Sequence, residues 1–158
     1  MKEKAGKGER NMAHRKRVGD VYAIPLPDGT FAFCRVLKGA AAAFYRHRGE
    51  SPSDLPPVEE YEFVVCVYNH AFRSWQFVAA RPFAAEEEAW PPPFCWVDQI
   101  TRKGSLYIKG ERVPCSYEEC KDLEILAVWD SCHLTDRLMG DHKWENCFKK
   151  PLFSEKEP

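Results

Sequence analysis

Seven cysteines and five histidines carry most of the reactive chemistry in this 158-residue chain. The cysteines stand at 34, 66, 95, 115, 120, 132 and 147. A structural zinc site draws its ligands from short, paired spacings of the CxxC or HxxxH type. Here the closest pair, Cys115 and Cys120, is separated by four residues, and Cys66–His70 and Cys132–His133 have nothing to complete them. No metal ligand is assigned. A cysteine nucleophile needs its thiolate beside a base. The adjacent Cys132 and His133 diverge on a helix or a strand alike, so no catalytic residue is assigned. Several cysteines lie in apolar runs, as in Val65-Cys66-Val67 and Phe94-Cys95-Trp96. There a thiol packs as a small hydrophobe, and nothing marks the chain as secreted, so reduced thiols in a cytoplasmic protein are expected.

Other chemistries fare no better. The glycines fall singly at turns, without a phosphate-cradling loop, and no GxSxG elbow is present. Glu118-Glu119 reads as a helix start, where acidic side chains complement the helix dipole. No cofactor is implied and the chain reads as a non-enzyme. What remains for function is surface. Glu86-Glu87-Glu88 and Asp98 are hard to bury and are the candidate partner-binding residues. Residues 1–18 hold seven lysines and arginines against two glutamates, while the remainder carries 16 basic and 22 acidic residues. An acidic body disfavours nucleic acid and suits a basic protein partner.

The elements that must carry these groups are mostly strands. Residues 1–17 read as a disordered basic leader, 18–153 as one β-rich domain, and 154–158 as a disordered tail. No run approaches a membrane span. Gly19-Asp20 opens the domain. Val21 to Leu26 alternates like a half-buried strand, with Tyr22, Ile24 and Leu26 on one face. Pro27-Asp28-Gly29 supplies a turn, and Thr30 to Leu37 returns with Phe31, Phe33, Arg35 and Leu37 on one side, making a hairpin. Pro25 lacks an N–H and should face an edge or a bulge.

Ala40 to Tyr45 is open between strand and helical turn, and 49–57 is a loop. Phe63 to Tyr68 reads as a central strand, with further strands at 74–78, 94–97, 106–108 and 123–129, and turns at Lys103-Gly104 and Lys109-Gly110. Glu86 to Glu88 suits one helical turn, and Trp90-Pro91-Pro92-Pro93-Phe94 a stiff connector. Ser116 with Glu119 forms a capping box for a short helix. A last helix starts near Asp130, presents Leu134, Leu138 and Met139 on one face, and ends at Gly140. Trp129, at the end of a strand, reads as a core wedge. The expected fold class is mainly β: a small barrel or strongly bent antiparallel sheet, with a short helix and a C-terminal helix.

The hairpin Gly19-Asp20-Val21 through Pro25-Leu26-Pro27-Asp28-Gly29 to Leu37 resembles the start of the immunity protein 26 family of bacterial polymorphic toxin systems. The Phe63–Tyr68 strand, Trp75, Pro92-Pro93-Phe94, Asp98, Gly104, Glu118-Glu119-Cys120, Leu123-Glu124, Ala127-Val128-Trp129, His133 and Arg137-Leu138 continue the resemblance in order, over about residues 18–150. Cys34 departs from it, standing where the family hairpin has glycine. The resemblance implies a largely β fold with a characteristic tryptophan, here Trp129. It also implies a cytoplasmic protein that binds and neutralises a toxin encoded beside it, with no catalytic residues to transfer. Two other readings stand beside this one. The first is a small-barrel ribonuclease of the PemK type. The second is a peptide-binding small barrel with an aromatic cage built from Trp75, Trp90 or Trp96.

Overall fold

The computed structural model describes residues 14–148. The leader up to residue 13 and the tail 154–158 fall outside the described residues. Strands β1 (Asp20–Pro25), β2 (Phe31–Val36), β3 (Ala41–Tyr45), β4 (Tyr61–Val67) and β5 (Gln76–Ala80) come first, with a 3₁₀ turn at Asn69–Ser74 between the last two. A second 3₁₀ turn at Glu86–Ala89 leads to β6 (Phe94–Val97), β7 (Gly104–Ile108) and β8 (Glu111–Pro114). Helix α1 (Tyr117–Cys120), β9 (Val128–Trp129), α2 (Ser131–Leu138) and α3 (Lys143–Phe148) complete the chain.

The protein is mainly β, as expected, with two sheets. The first runs β5-β1-β2-β3-β4-β9 and the second β6-β7-β8. Pairing is antiparallel throughout except between β4 and β9, which are parallel, so the first sheet is mixed. Hydrogen bonding among the described residues defines two open sheets and no closed barrel.

The β1–β2 hairpin forms as its sequence dictates. The Asp28 carboxylate accepts from the Thr30 N–H at 2.9 Å and from the Thr30 hydroxyl at 2.6 Å, and Gly29 takes the left-handed conformation at φ 89°. Opposite Pro25, Phe31 exchanges both of its backbone bonds with Gly49. The side of Pro25 that lacks an N–H therefore faces away from β2, where β5 has already ended at the Ala23–Gln76 pair. At the other end of β1, a Cβ on Gly19 would sit 2.8 Å from the Arg81 carbonyl oxygen, and φ is 97°. Glycine is required there to bring the 81–82 backbone alongside.

β1 is not half-buried. Tyr22, Ile24 and Leu26 line one apolar cluster, while Val21 and Ala23 line another on the opposite face with Phe33 and Tyr45. The alternation in β1 separates large from small apolar residues rather than apolar from polar. One face of the first sheet is closed by Phe72 and Trp75 from the first 3₁₀ turn and by Trp129, Leu134 and Leu138. The other is covered over β3 and β4 by the second sheet, whose Phe94 packs on Leu37, Ala41, Ala43 and Cys66, and over β1 and β2 by Leu55 and its neighbours. Cys34 is fully buried, paired between Tyr22 and Phe44 within the sheet.

Five expectations need correction. The apolar run 123–129 forms a strand only at Val128–Trp129, because Leu123 and Ile125 pack on the second sheet. Two helices end the described chain instead of one, since α3 follows Gly140. Met139 caps α2 and is exposed rather than lying on its buried face. The Lys103-Gly104 turn is a longer loop over 98–103, with Gly104 already in β7. Finally, the thiols are not all reduced: Cys95 and Cys120 form a disulfide, their Cα atoms 5.3 Å apart. An isolated parallel bridge from Cys95 to Ile125 and the capped α1 bring them together.

The β8 edge is protected. The Cys115 N–H bonds to the Gly104 carbonyl, so 111, 113 and 115 face β7 while Arg112 and Pro114 face outward. Pro114 offers no donor there, which blunts the edge against pairing with another chain.

Candidate partner-binding surface

Asp98 stands at the start of the β6–β7 loop and is spent on holding that loop. Its carboxylate accepts from the Ile100 N–H at 2.8 Å and the Thr101 N–H at 2.9 Å. Those two bonds pull the Asp98 carboxyl below its ordinary range. The Arg102 N–H donates to the Asp98 carbonyl and the Lys103 N–H to the Thr101 hydroxyl. Every backbone N–H from Ile100 to Lys103 thus has an acceptor inside the loop. At its apex Ile100 is 90 % exposed.

Glu86, Glu87 and Glu88 form the expected single turn, of 3₁₀ type. Two of the three carboxylates bridge separate parts of the fold. Glu86 pairs with Lys38 beyond β2, and Glu87 pairs with Lys109 in the β7–β8 turn. The turn is therefore a clamp between the two sheets. Lys38 holds the Glu86 carboxyl below its usual range, first by a hydrogen bond and then by charge. Both pairs are exposed, so each adds little to stability.

The densest polar cluster lies elsewhere, and sequence reasoning missed it. Glu59 accepts from the hydroxyls of Tyr45 at 2.7 Å and Tyr61 at 2.8 Å, and pairs with Arg35 and Arg81. The buried Arg35 guanidinium also donates to the Arg81 and Pro82 carbonyls and stacks 3.6 Å from the Phe83 ring. Glutamate, arginine and tyrosine together could do acid–base work, yet each polar group here bonds another within the cluster. Burial alone would raise the Glu59 carboxyl, but the two hydroxyls and the two guanidinium groups hold it below the ordinary range. Burial, then the bond to Glu59, pushes the Tyr45 hydroxyl far up.

A carboxyl lowered by folding contributes stability above its unfolded pKa and loses it as pH falls through the folded value. Wild-type stability should accordingly decline on acidification below the usual carboxylate range, with a shallower decline in Glu59→Gln. At neutral pH that variant should lose only about 1 kcal/mol, because Glu59 is 42 % exposed and solvent screens its pairs. Urea unfolding at several pH values measures both.

Three further sequence-predicted positions are structural. Trp75 is buried among Phe44, Phe72 and the rest of the first cluster, so it is not available to an exposed aromatic cage. Trp129 is fully buried and acts as the expected wedge. Asp20 accepts from the Arg17 N–H at 2.9 Å and pairs with His14, whose ring stacks 3.6 Å from Phe77. Residues 14–17, read as leader, thus contact the domain, with the Lys16 ammonium 4.3 Å from the Phe72 ring.

Among the described residues no group of histidine, cysteine, aspartate or glutamate is arranged to hold a metal ion, and no helix is long and apolar enough to cross a membrane. The architecture defines a mainly β protein whose two sheets are cross-tied by the Glu86–Lys38 and Glu87–Lys109 pairs. The sequence profile of immunity protein 26 matches residues 17–106. The chain belongs to the immunity protein 26 family. The match ends in β7, so the resemblance seen at Trp129 and Arg137 lies beyond it. No curated protein and no solved structure matches the chain.

Proposed function

We propose that this protein is an immunity protein that binds a cognate polymorphic toxin, encoded by a neighbouring gene, and neutralises it in the cytoplasm of the producing cell. It acts by occupying the toxin's working surface and performs no chemistry of its own. The observation that carries this reading is the family match, which spans β1 through most of β7. One physical feature supports it. The interior is packed on both faces of the first sheet, giving a rigid body of the kind that binds without rearrangement.

Co-expression with the product of the adjacent toxin gene should restore growth, and the two proteins should co-elute on gel filtration. An interface of standard size, about 1,600 Å² in total, is enough for that stability. Absence of both rescue and complex would remove the proposal. RNA cleavage by the purified protein, with toxicity when expressed alone, would replace it with the ribonuclease reading.

A further inference from the structure

We infer that the toxin-contacting anchor of this protein is the free end of the second sheet: Ile100 at the apex of the β6–β7 loop, with the Trp96–Arg112 stack at its base. The inference rests on the immunity reading above and assigns its binding face.

A single exposed apolar side chain needs no explanation in itself. Ile100 differs in where it stands. Its loop has no unsatisfied N–H between 100 and 103, and the Asp98 side chain and backbone fix both limbs. The loop's own hydrogen bonds thus brace the backbone that presents Ile100 to water. A contact residue fixed in this way loses little conformational entropy when it binds.

The base of the loop carries the residue types that dominate binding energy. Trp96 lies two residues closer to the loop than Phe94, on the same face of β6. Phe94 is buried against the first sheet, whereas Trp96 is partly exposed. Arg112, on β8, reaches across β7 to place its guanidinium 4.3 Å from the Trp96 ring. The residue on β7 opposite Trp96 is Ser105, small enough to leave the path clear. Tryptophan and arginine are the side chains most enriched at the centres of protein interfaces.

Charge selects the partner's chemistry. Arg102 and Lys103 follow the apex along the loop and Arg112 stands at its base, three cations against the one ionised carboxylate of Asp98. The complementary surface is an apolar cleft in the toxin bordered by carboxylates. This departs from the expectation of a basic partner drawn by Glu86, Glu87 and Glu88, two of which are already paired with lysines.

The test measures binding of the full-length protein to a catalytically silenced toxin domain from the adjacent gene, by calorimetry. Ile100→Asp and Arg112→Glu should each weaken binding at least about thirtyfold, the range expected of interface anchors. Their thermal midpoints should match wild type, because neither side chain is buried. Glu86→Lys combined with Glu87→Lys should leave affinity within about threefold. If both loop-end variants bind like wild type while wild type binds and protects, the anchor assignment is wrong and the immunity reading survives. If wild type neither binds nor protects, both fall together.

Discussion

Replacing Arg137 with methionine should lower stability by about 3–5 kcal/mol, as much as truncating a core aromatic. The Arg137 side chain is 9 % exposed and makes two parallel bonds to Glu124, at 2.8 and 3.0 Å. Its Nε lies 3.3 Å from Glu145, and its guanidinium sits 3.8 Å from the Phe63 ring and 5.0 Å from that of Trp129. One cation thus joins α2, α3 and the 121–127 connection to the core of the first sheet. Methionine fills the volume but takes the guanidinium from two largely buried carboxylates, leaving Glu145 with His142 and Glu124 without its counter-charge. A loss of that size corresponds to roughly 10 °C in Tm for a chain of this length. Replacing all three charges together, as Arg137→Met with Glu124→Leu and Glu145→Leu, should recover most of it, since apolar substitutes for a buried ion triad are often neutral or stabilising. An Arg137→Met midpoint within a degree or two of wild type would refute this account.

The second large effect concerns Cys95 and Cys120, which are 25 residues apart in sequence. Closing a loop of that length restricts the unfolded chain by about 3.5 kcal/mol on the chain-entropy estimate. Oxidised protein should therefore melt roughly 10 °C above the Cys95→Ser, Cys120→Ser double variant. Prolonged reduction under denaturing conditions, followed by refolding with reductant, should bring wild type down to the variant's midpoint. The second sheet should bear the difference, because the bond ties α1 to β6 while the first sheet has no part in it. Amide exchange that rises only in residues 94–125 would locate it there. Equal midpoints for oxidised and reduced protein would remove the bond from the list of what stabilises this fold.

Local chemistry is what the sequence exposed most clearly. The Asp28 turn, the Ser116–Glu119 capping box and the central position of β4 all follow from neighbours along the chain, and the structure has all three. β8 escaped notice because Glu111-Arg112-Val113-Pro114 is an exposed edge with no apolar alternation. The run 123–129 looked like one strand because all of it but Glu124 is apolar, but its residues serve three different clusters. The disulfide was hidden because seven cysteines admit many pairings, and only the fold of α1 against β7 selects one. At the candidate surface the sequence pointed to Asp98 as a contact residue, and its carboxylate, still ionised, also holds the β6–β7 loop. Ile100, two residues on, carried no signal, because nothing in a sequence tells an exposed isoleucine from a buried one. The lysine partners of Glu86 and Glu87 lie 48 and 22 residues away, beyond the reach of any local pattern.

The parallel pairing of β4 with β9 sets the order in which this protein can mature. β4 is made early in synthesis, yet its partner strand, the Trp129 wedge and the leucines of α2 emerge some sixty residues later. Until then the inner face of the first sheet, with Phe44 and Phe63, is covered only by Phe72 and Trp75. A ribosome that stalls after the family-matched segment would release a sheet with a bare aromatic face, exposed to proteases and to aggregation. Closure of that face therefore waits until Leu138 has been made, about seventy residues after the end of β4.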